Sequence, residues 1–224
     1  MMLGISLHTF TLAHALFLAC LDEWSVKSER ALLRHAEELA TLSAEHDFAL
    51  FSAGGSLFRG WCIVALSQGQ QGIELLDEAL AAWRATGSML LVPFFLLLLA
   101  DANGKAGQPE HGLRRLDEVA RLLETTQERW VEAEMHRLRG ELLAATGNRA
   151  AAEETFRHAL NVARHQSAKL WELRASTSLA RLWRDQGKRT QARNLLAPIY
   201  GWFKEGFDTP VLKEAKTLLE QFTE

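Results

Sequence analysis

The sequence predicts an all-α chain assembled from repeated antiparallel helix pairs. Three observations carry that reading. Apolar residues recur at three- and four-residue spacing along most of the chain, in blocks separated by short polar turns. Glycine closes several of those blocks, at Gly107, Gly147 and Gly187. One pattern of small and bulky residues returns every forty positions. Its clearest copy is Trp130 to Arg164, WVEAEMHRLRGELLAATGNRAAAEETFRHALNVAR, two amphipathic stretches joined at Gly147-Asn148. Small residues at Gly140 and Ala152 let two helix backbones approach, Phe156 fills the space beside them, and Gly147 supplies a left-handed stop.

Shifted by forty, the first-helix small position falls at Gly60, Ala100, Gly140 and Ala180, and the second-helix one at Gly72, Gly112, Ala152 and Ala192. The bulky position gives Leu76, Leu116, Phe156 and Leu196; the turn at the earlier site is Ser67 then Gly69. These anchors are those of the tetratricopeptide helix-turn-helix, whose usual period is about 34 residues. One extra turn per helix, roughly three to four residues each, accounts for the longer repeat. The predicted fold is therefore a tetratricopeptide-like α-solenoid, a right-handed superhelix of antiparallel helix pairs with a C-terminal capping helix, forming a single array over 1–224.

The elements follow in order. A first pair covers 5–46, with Cys20, Leu32 and Ala36 one period before Gly60, Gly72 and Leu76. Its apolar run Leu12–Leu21 is too short to span a bilayer and has no preceding Lys or Arg, so it reads as a buried first helix. The second pair covers 50–86. The third covers 89–126; Met89–Ala100 is a helix buried on most sides, and Pro109 suits a first helical turn. The fourth covers 130–165 and the fifth 169–203. Asp208-Thr209-Pro210 then starts a capping helix over 210–222, with the aromatics Tyr200, Trp202, Phe203 and Phe207 pinning it; a surface hot spot at Trp202 and Phe207 is the alternative.

Bulk properties set the function classes. A net charge of −3 with 48% hydrophobic residues is an ordinary globular composition and gives no nucleic-acid signal. Up to Gly112 there are 6 Lys and Arg against 12 Asp and Glu, and beyond it 19 against 16. Cys20 and Cys62 make no disulfide pattern, which points to a reducing cytoplasm and to inert buried thiols. The histidines have no metal-ligand spacing; His158 and His165 share a helix face without a third ligand. Gly104-Lys105 and Gly187-Lys188 lie in repeat turns and are not phosphate-binding loops. No nucleophile, base and orienting group assemble from these residues, so no enzyme and no cofactor are expected.

RGWCIVALSQGQ with GIELLDEALAAWRATG, NGKAGQPEHGLRRLDE, ERWVEAEMHRLRGELL and the terminal SLARLWRDQGKRTQARNLLAPIYGWFKEGFDTPVLKEAKTLLE carry a resemblance over essentially the whole chain. It resembles the C-terminal tetratricopeptide region of bacterial multidomain signalling proteins, in which a class III adenylate/guanylate cyclase domain or another output precedes a predicted STAND-type ATPase. The resemblance implies a regulatory array in a signal-transduction protein and brings no enzyme activity with it. Asn103 departs from the family, which tends to carry an aromatic residue there; a small Asn loosens packing or opens a polar pocket.

The register projects a partner-binding concave face from the first helices: Leu57, Trp61, Phe94 and Asp101 at one end, and Arg137, Glu141, Arg174, Arg181 and Arg184 at the other. This suits a peptide groove, apolar-aromatic at one end and charged at the other. Against it, Glu134 with Arg174 and Glu141 with Arg181 are one period apart and can simply pair across exposed neighbouring helices, contributing about 0–1 kcal/mol. Arg137 and Arg184 lack a partner one period away and are the preferred ligand-binding residues. The function read from the sequence is a non-catalytic module for a protein or peptide partner, possible partners including neighbouring cyclase and ATPase domains. The alternative is a small-molecule sensor with its pocket around Trp61, Phe94 and Asn103.

Overall fold

The computed structural model describes residues 2–66 and 69–222, with side chains from His8 onward; Ser67, the expected turn position, lies outside the described residues. The described residues form eleven α-helices and one 3-10 turn, with no strand. The chain divides into two compact units, Met1–Gln108 and Pro109–Glu224. The first holds α1 (Met2–Ser25), α2 (Glu29–Glu45), α3 (Ala49–Leu66), α4 (Gly69–Ala85) and α5 (Val92–Lys105). The second holds α6 (Pro109–Thr126), the 3-10 turn Arg129–Val131, α7 (Glu132–Ala145), α8 (Arg149–His165), α9 (Lys169–Asp185), α10 (Arg189–Tyr200) and α11 (Pro210–Glu220). The division falls between α5 and α6, the two helices that the register takes as the third pair.

One device ends most helices. Lys27, Asp47, Gly87, Gly107, Gln127, Gly147, Ser167 and Gly187 all have positive φ, so among the described residues the chain turns left-handed at twenty-residue steps, position 67 lying outside them. At six of these ends the following residue donates its N–H to a carbonyl five positions back, as in Ser28 to Glu23 (2.8 Å), Asn148 to Leu143 (2.9 Å) and Lys188 to Trp183 (2.8 Å). That bond satisfies a carbonyl the helix leaves open. Asn148 then caps α8, its Oδ1 accepting from the Ala151 N–H at 3.3 Å. Among the boundaries that differ from the sequence reading, two have a local cause. α5 starts at Val92 rather than Met89, because Leu91 is left-handed (φ 62°) just before it. α10 stops at Tyr200 rather than Phe203, two residues after Pro198 has removed a backbone donor.

The register positions are the packing positions. Leu76, Leu116, Phe156 and Leu196 are buried, as are Ala100, Ala152, Ala180 and Ala192. A Cβ on Gly72 would lie 2.5 Å from the Gly60 carbonyl oxygen, so α3 and α4 touch backbone to backbone there. The core of the first unit is aromatic: Phe17 stacks on Trp83 at 5.8 Å, Trp83 meets Phe95 at 4.7 Å, and Trp24 meets Phe94 edge-on at 4.9 Å. Ala152, Phe156, Leu160, Leu173, Leu179 and Leu196 centre the core of the second, with Val211, Ala215 and Leu218 of α11 packed into it.

Two apolar stretches behave differently from expectation. α1 is not buried throughout: Ala13, Phe17, Cys20 and Trp24 form one covered stripe, while Phe10, Leu12 and Leu18 face out. In the Met89–Ala100 run, Met89 and Leu90 are exposed and burial starts at Val92. α3 is long and apolar enough to cross a membrane by length and composition, yet more than half of it is packed inside the protein.

Candidate functional site

The first helices of the second unit hold a charged cluster that the register builds. Glu134, Arg137 and Glu141 lie one turn apart on α7, so they share a face. Arg174, Ser178 and Arg181 do the same on α9. Glu134 accepts two hydrogen bonds from Arg137, Nη2 to Oε1 at 2.7 Å and Nε to Oε2 at 2.8 Å. Arg174 Nη2 donates to the same Oε1 at 2.7 Å. Arg137 also pairs with Glu141 and reaches Ser178 Oγ at 3.3 Å. Ser178 donates to Glu141 Oε1 at 2.9 Å. Arg181 bridges Glu141 (3.5 Å) and Glu214 of α11 (3.0 Å). Arg174 further lies over the Trp171 ring at 5.2 Å.

Three arginines face three glutamates, so the cluster is neutral, and its inner members are deeply buried. The side chains of Glu134, Arg137 and Arg174 are 1%, 3% and 5% exposed. This corrects two expectations. Arg137 is not a free ligand-binding group, because its guanidinium is spent on Glu134, Glu141 and Ser178. The Glu134–Arg174 pair is not an exposed bridge of small value but part of a buried network, which becomes strongly destabilising when one member is removed. Arg184 is also held within the chain, donating to Asp185 Oδ1 (2.9 Å) and Gln221 Oε1 (3.0 Å).

The outer edge of the cluster is accessible. Glu141, Ser178, Arg181, Arg184 and Asp185 line an open cleft of about 430 Å³, with Phe156 and Leu182 as apolar floor. Charges of both signs and a hydroxyl therefore meet at one place on α7 and α9.

The projected residues of the first unit behave otherwise. Leu57 and Phe94 are fully buried, Phe94 against Trp24 and Phe58, and so belong to the core rather than to a binding face. Trp61 is buried too; its Nε1–H donates to Asp101 Oδ2 at 2.7 Å, and Lys105 Nζ lies 5.6 Å from its ring centre and 3.7 Å from Asp101. Asn103 is buried and its amide donates to the Leu99 carbonyl at 2.7 Å. It closes on its own helix instead of opening a polar pocket. A ligand around Trp61, Phe94 and Asn103 would have to displace these contacts.

The remaining conspicuous residues sort themselves by burial. Cys20 and Cys62 are free and buried, and burial pushes both thiols up to about 12, far from thiolate chemistry at neutral pH. His158 meets His136 edge-on at 4.2 Å rather than acting with His165. No set of three or more metal-ligating side chains occurs among the described residues. Phe203 and Tyr200 are partly covered, but Trp202 and Phe207 are 55% and 46% exposed, so the surface reading gains for those two rings. The signal for the buried ionic cluster was present in the forty-residue spacing of Glu134 and Arg174; its burial was not, because strongly polar residues on a helix face normally mark solvent.

No protein-family model matches the chain. An uncharacterized protein of Rhizobium meliloti (strain 1021) is 27% identical over 177 residues, which cover 78% of this chain and 17% of that protein. The chain thus spans about a sixth of the length of this curated relative. Among solved structures, a Rap protein complexed with competence and sporulation factor superimposes with a TM-score of 0.71 at 14% identity, over 94% of this chain and 57% of that one. The tetratricopeptide-like repeats of a putative kinesin light chain from Podosopora anserina give 0.56 at 16% identity, over 84% and 92%. These likenesses define the class of fold: a tetratricopeptide-like helical-repeat α-solenoid.

Proposed function

We propose that this chain is a non-catalytic interaction and regulatory module of a bacterial signal-transduction protein, working in the cytoplasm. In this reading the α7–α9 face of the second unit takes an extended segment of a protein partner, or of neighbouring cyclase or ATPase domains. The observation that carries it is the cleft at Glu141, Ser178, Arg181, Arg184 and Asp185. A buried neutral network holds its inner wall rigid, while acceptors and cations of the outer wall match the polar groups and termini of a peptide. The Rap protein of similar fold was solved in complex with competence and sporulation factor, which supports a protein or peptide occupant. The forty-residue register runs through both units without a change of phase, which supports a single array.

A random peptide display library panned against the full chain tests the reading. Recovered peptides should bind the wild type and lose at least about tenfold in affinity with Arg184→Glu, whose polar partners Asp185 and Gln221 lie at the surface. Recovery of no cleft-dependent peptide would reject it.

A further inference from the structure

The second helices carry an acidic column that breaks at one place. Glu37 and Glu38, Asp77 and Glu78, and Asp117 and Glu118 follow one another at forty-residue steps, and the next step gives Arg157 and His158 on α8. The first helix of that pair departs with it. On α5 and α9 the matching positions hold Leu96 with Leu99 and Ser176 with Leu179, all buried. On α7 they hold His136 and Arg139, both half-buried. α3 has Ser56 and Arg59 there, but the α4 positions matching Arg157 and His158 are then Asp77 and Glu78, whose charge offsets the arginine.

His136 and His158 meet with ring centres 4.2 Å apart and planes at 87°. They line an open pocket of about 450 Å³ on α7 and α8, together with Arg139, Arg157 and Asn161. Among the described residues that line it, Glu154 alone carries a carboxylate. Arg139 Nη2 lies 2.8 Å from Asp117 Oδ1 of α6, and Arg157 Nη2 donates to Glu153 Oε1 at 2.9 Å. Lys188 of α10 also reaches Glu153, at 3.3 Å. Arg139, Arg157 and Lys188 thus balance Asp117, Glu153 and Glu154, which leaves the two imidazoles as the groups whose charge changes near neutral pH. Burial first, then His158 and the Arg139 charge, push His136 down to about 4. An anion beside the pair favours the charged form instead.

We propose that the pocket on α7 and α8 binds a phosphoryl group, with the imidazoles of His136 and His158, the Asn161 amide and the remaining N–H groups of Arg139 and Arg157 as donors. Each guanidinium has five N–H donors, so both keep some beyond those spent on Asp117 and Glu153. Donors that come singly from several side chains suit the three outer oxygens of a phosphoryl group better than the two of a planar carboxylate. The histidine pair takes up a proton from solvent as the anion enters, so affinity rises as the pH falls. This site shares no residue with the α7–α9 cleft, and neither depends on the other.

NMR titration of the full chain with inorganic phosphate, glycerol phosphate, sulfate and acetate tests it. The His136 and His158 signals should shift saturably with both phosphates, with a Kd of about 1 mM or tighter, and acetate should bind at least about tenfold more weakly. Sulfate keeps its charge through the titration range of histidine, so its tighter binding at lower pH reports on the protein alone. Saturating sulfate should raise the His136 titration midpoint by at least about one pH unit. Arg157→Gln and His158→Gln, both at exposed positions, should each weaken phosphate binding at least about tenfold. Lys188→Gln, which also loses a bond to Glu153 but lies outside the pocket, should leave it unchanged. Tighter binding of glycerol phosphate than of inorganic phosphate supports an esterified phosphoryl group as occupant, and the reverse supports the free ion. Shifts that never saturate, equal affinity for acetate, an unmoved His136 midpoint, or indifference to both pocket variants would overturn the proposal.

Discussion

Glu134 and Arg174 stand forty residues apart in the chain and 2.7 Å apart in space, both almost fully buried. Each lies on the inward face of a first helix, and the distance between them is one repeat. Glu134 is shared with Arg137, so a single carboxylate neutralises two guanidinium groups out of water. Removing its charge takes from the buried Arg137 and Arg174 the carboxylate they share.

Glu134→Gln should therefore destabilise the second unit by about 3–5 kcal/mol, the range for breaking a buried ionic group on one side. Arg181→Gln, at the half-exposed end of the same cluster, should cost about 1 kcal/mol or less. Urea denaturation of the two variants checks the contrast; equal losses would mean that burial does not govern the network.

Gly140 and Phe156 are a matched pair. A Cβ on Gly140 would lie 2.5 Å from the Phe156 ring. At the equivalent places in the next repeat Ala180 goes with Leu196. Gly140→Ala alone should cost about 1–3 kcal/mol through overpacking. Adding Phe156→Leu should recover a large part of that, because it recreates the Ala–Leu combination. Thermal unfolding of the single and double variants measures the coupling.

The left-handed turns give a test of opposite signs. Gly147 has φ 85° and open space where a Cβ would go, so Gly147→Ala meets no steric contact and the cost is purely that of the backbone, about 1–2 kcal/mol. Ser167 occupies the same conformation at φ 54° without being glycine. Ser167→Gly should stabilise by about 0.5–1 kcal/mol, the strain relieved less the entropy that glycine adds to the unfolded chain. Chemical denaturation of both variants decides it.

His136 provides a pH signature. Burial first, then the neighbouring His158 and the Arg139 charge, push it down to about 4, from an ordinary value of 6.5. Between those two values the unfolded chain binds the proton and the folded chain does not. Its contribution to stability is thus fully present above about pH 6.5 and is lost as the pH falls toward 4. An NMR titration should place the His136 imidazole near 4, and His136→Asn should flatten the stability profile across that window.

Much of this molecule could be read from residue spacing. The forty-residue register placed Gly72, Leu116, Phe156 and Ala192 in the packing, because close helix approach requires small residues at fixed offsets from bulky ones. The glycine turns were legible at Gly107, Gly147 and Gly187, where only glycine takes a left-handed backbone without strain. Lys27, Asp47, Gln127 and Ser167 take the same conformation unannounced, since nothing local distinguishes them from other polar turn residues. The candidate site was legible in part: Glu141, Arg181 and Arg184 do line the cleft, while Leu57, Phe94 and Arg137 do not reach a surface.

By itself, then, the sequence determined the period, the helix pairs and the columns in which residues such as Glu134 and Arg174 align. Tertiary structure decided which columns are wet. The same first-helix column holds Gly54, Phe94, Glu134 and Arg174, all buried, and periodicity alone cannot tell a buried ionic column from a solvated one.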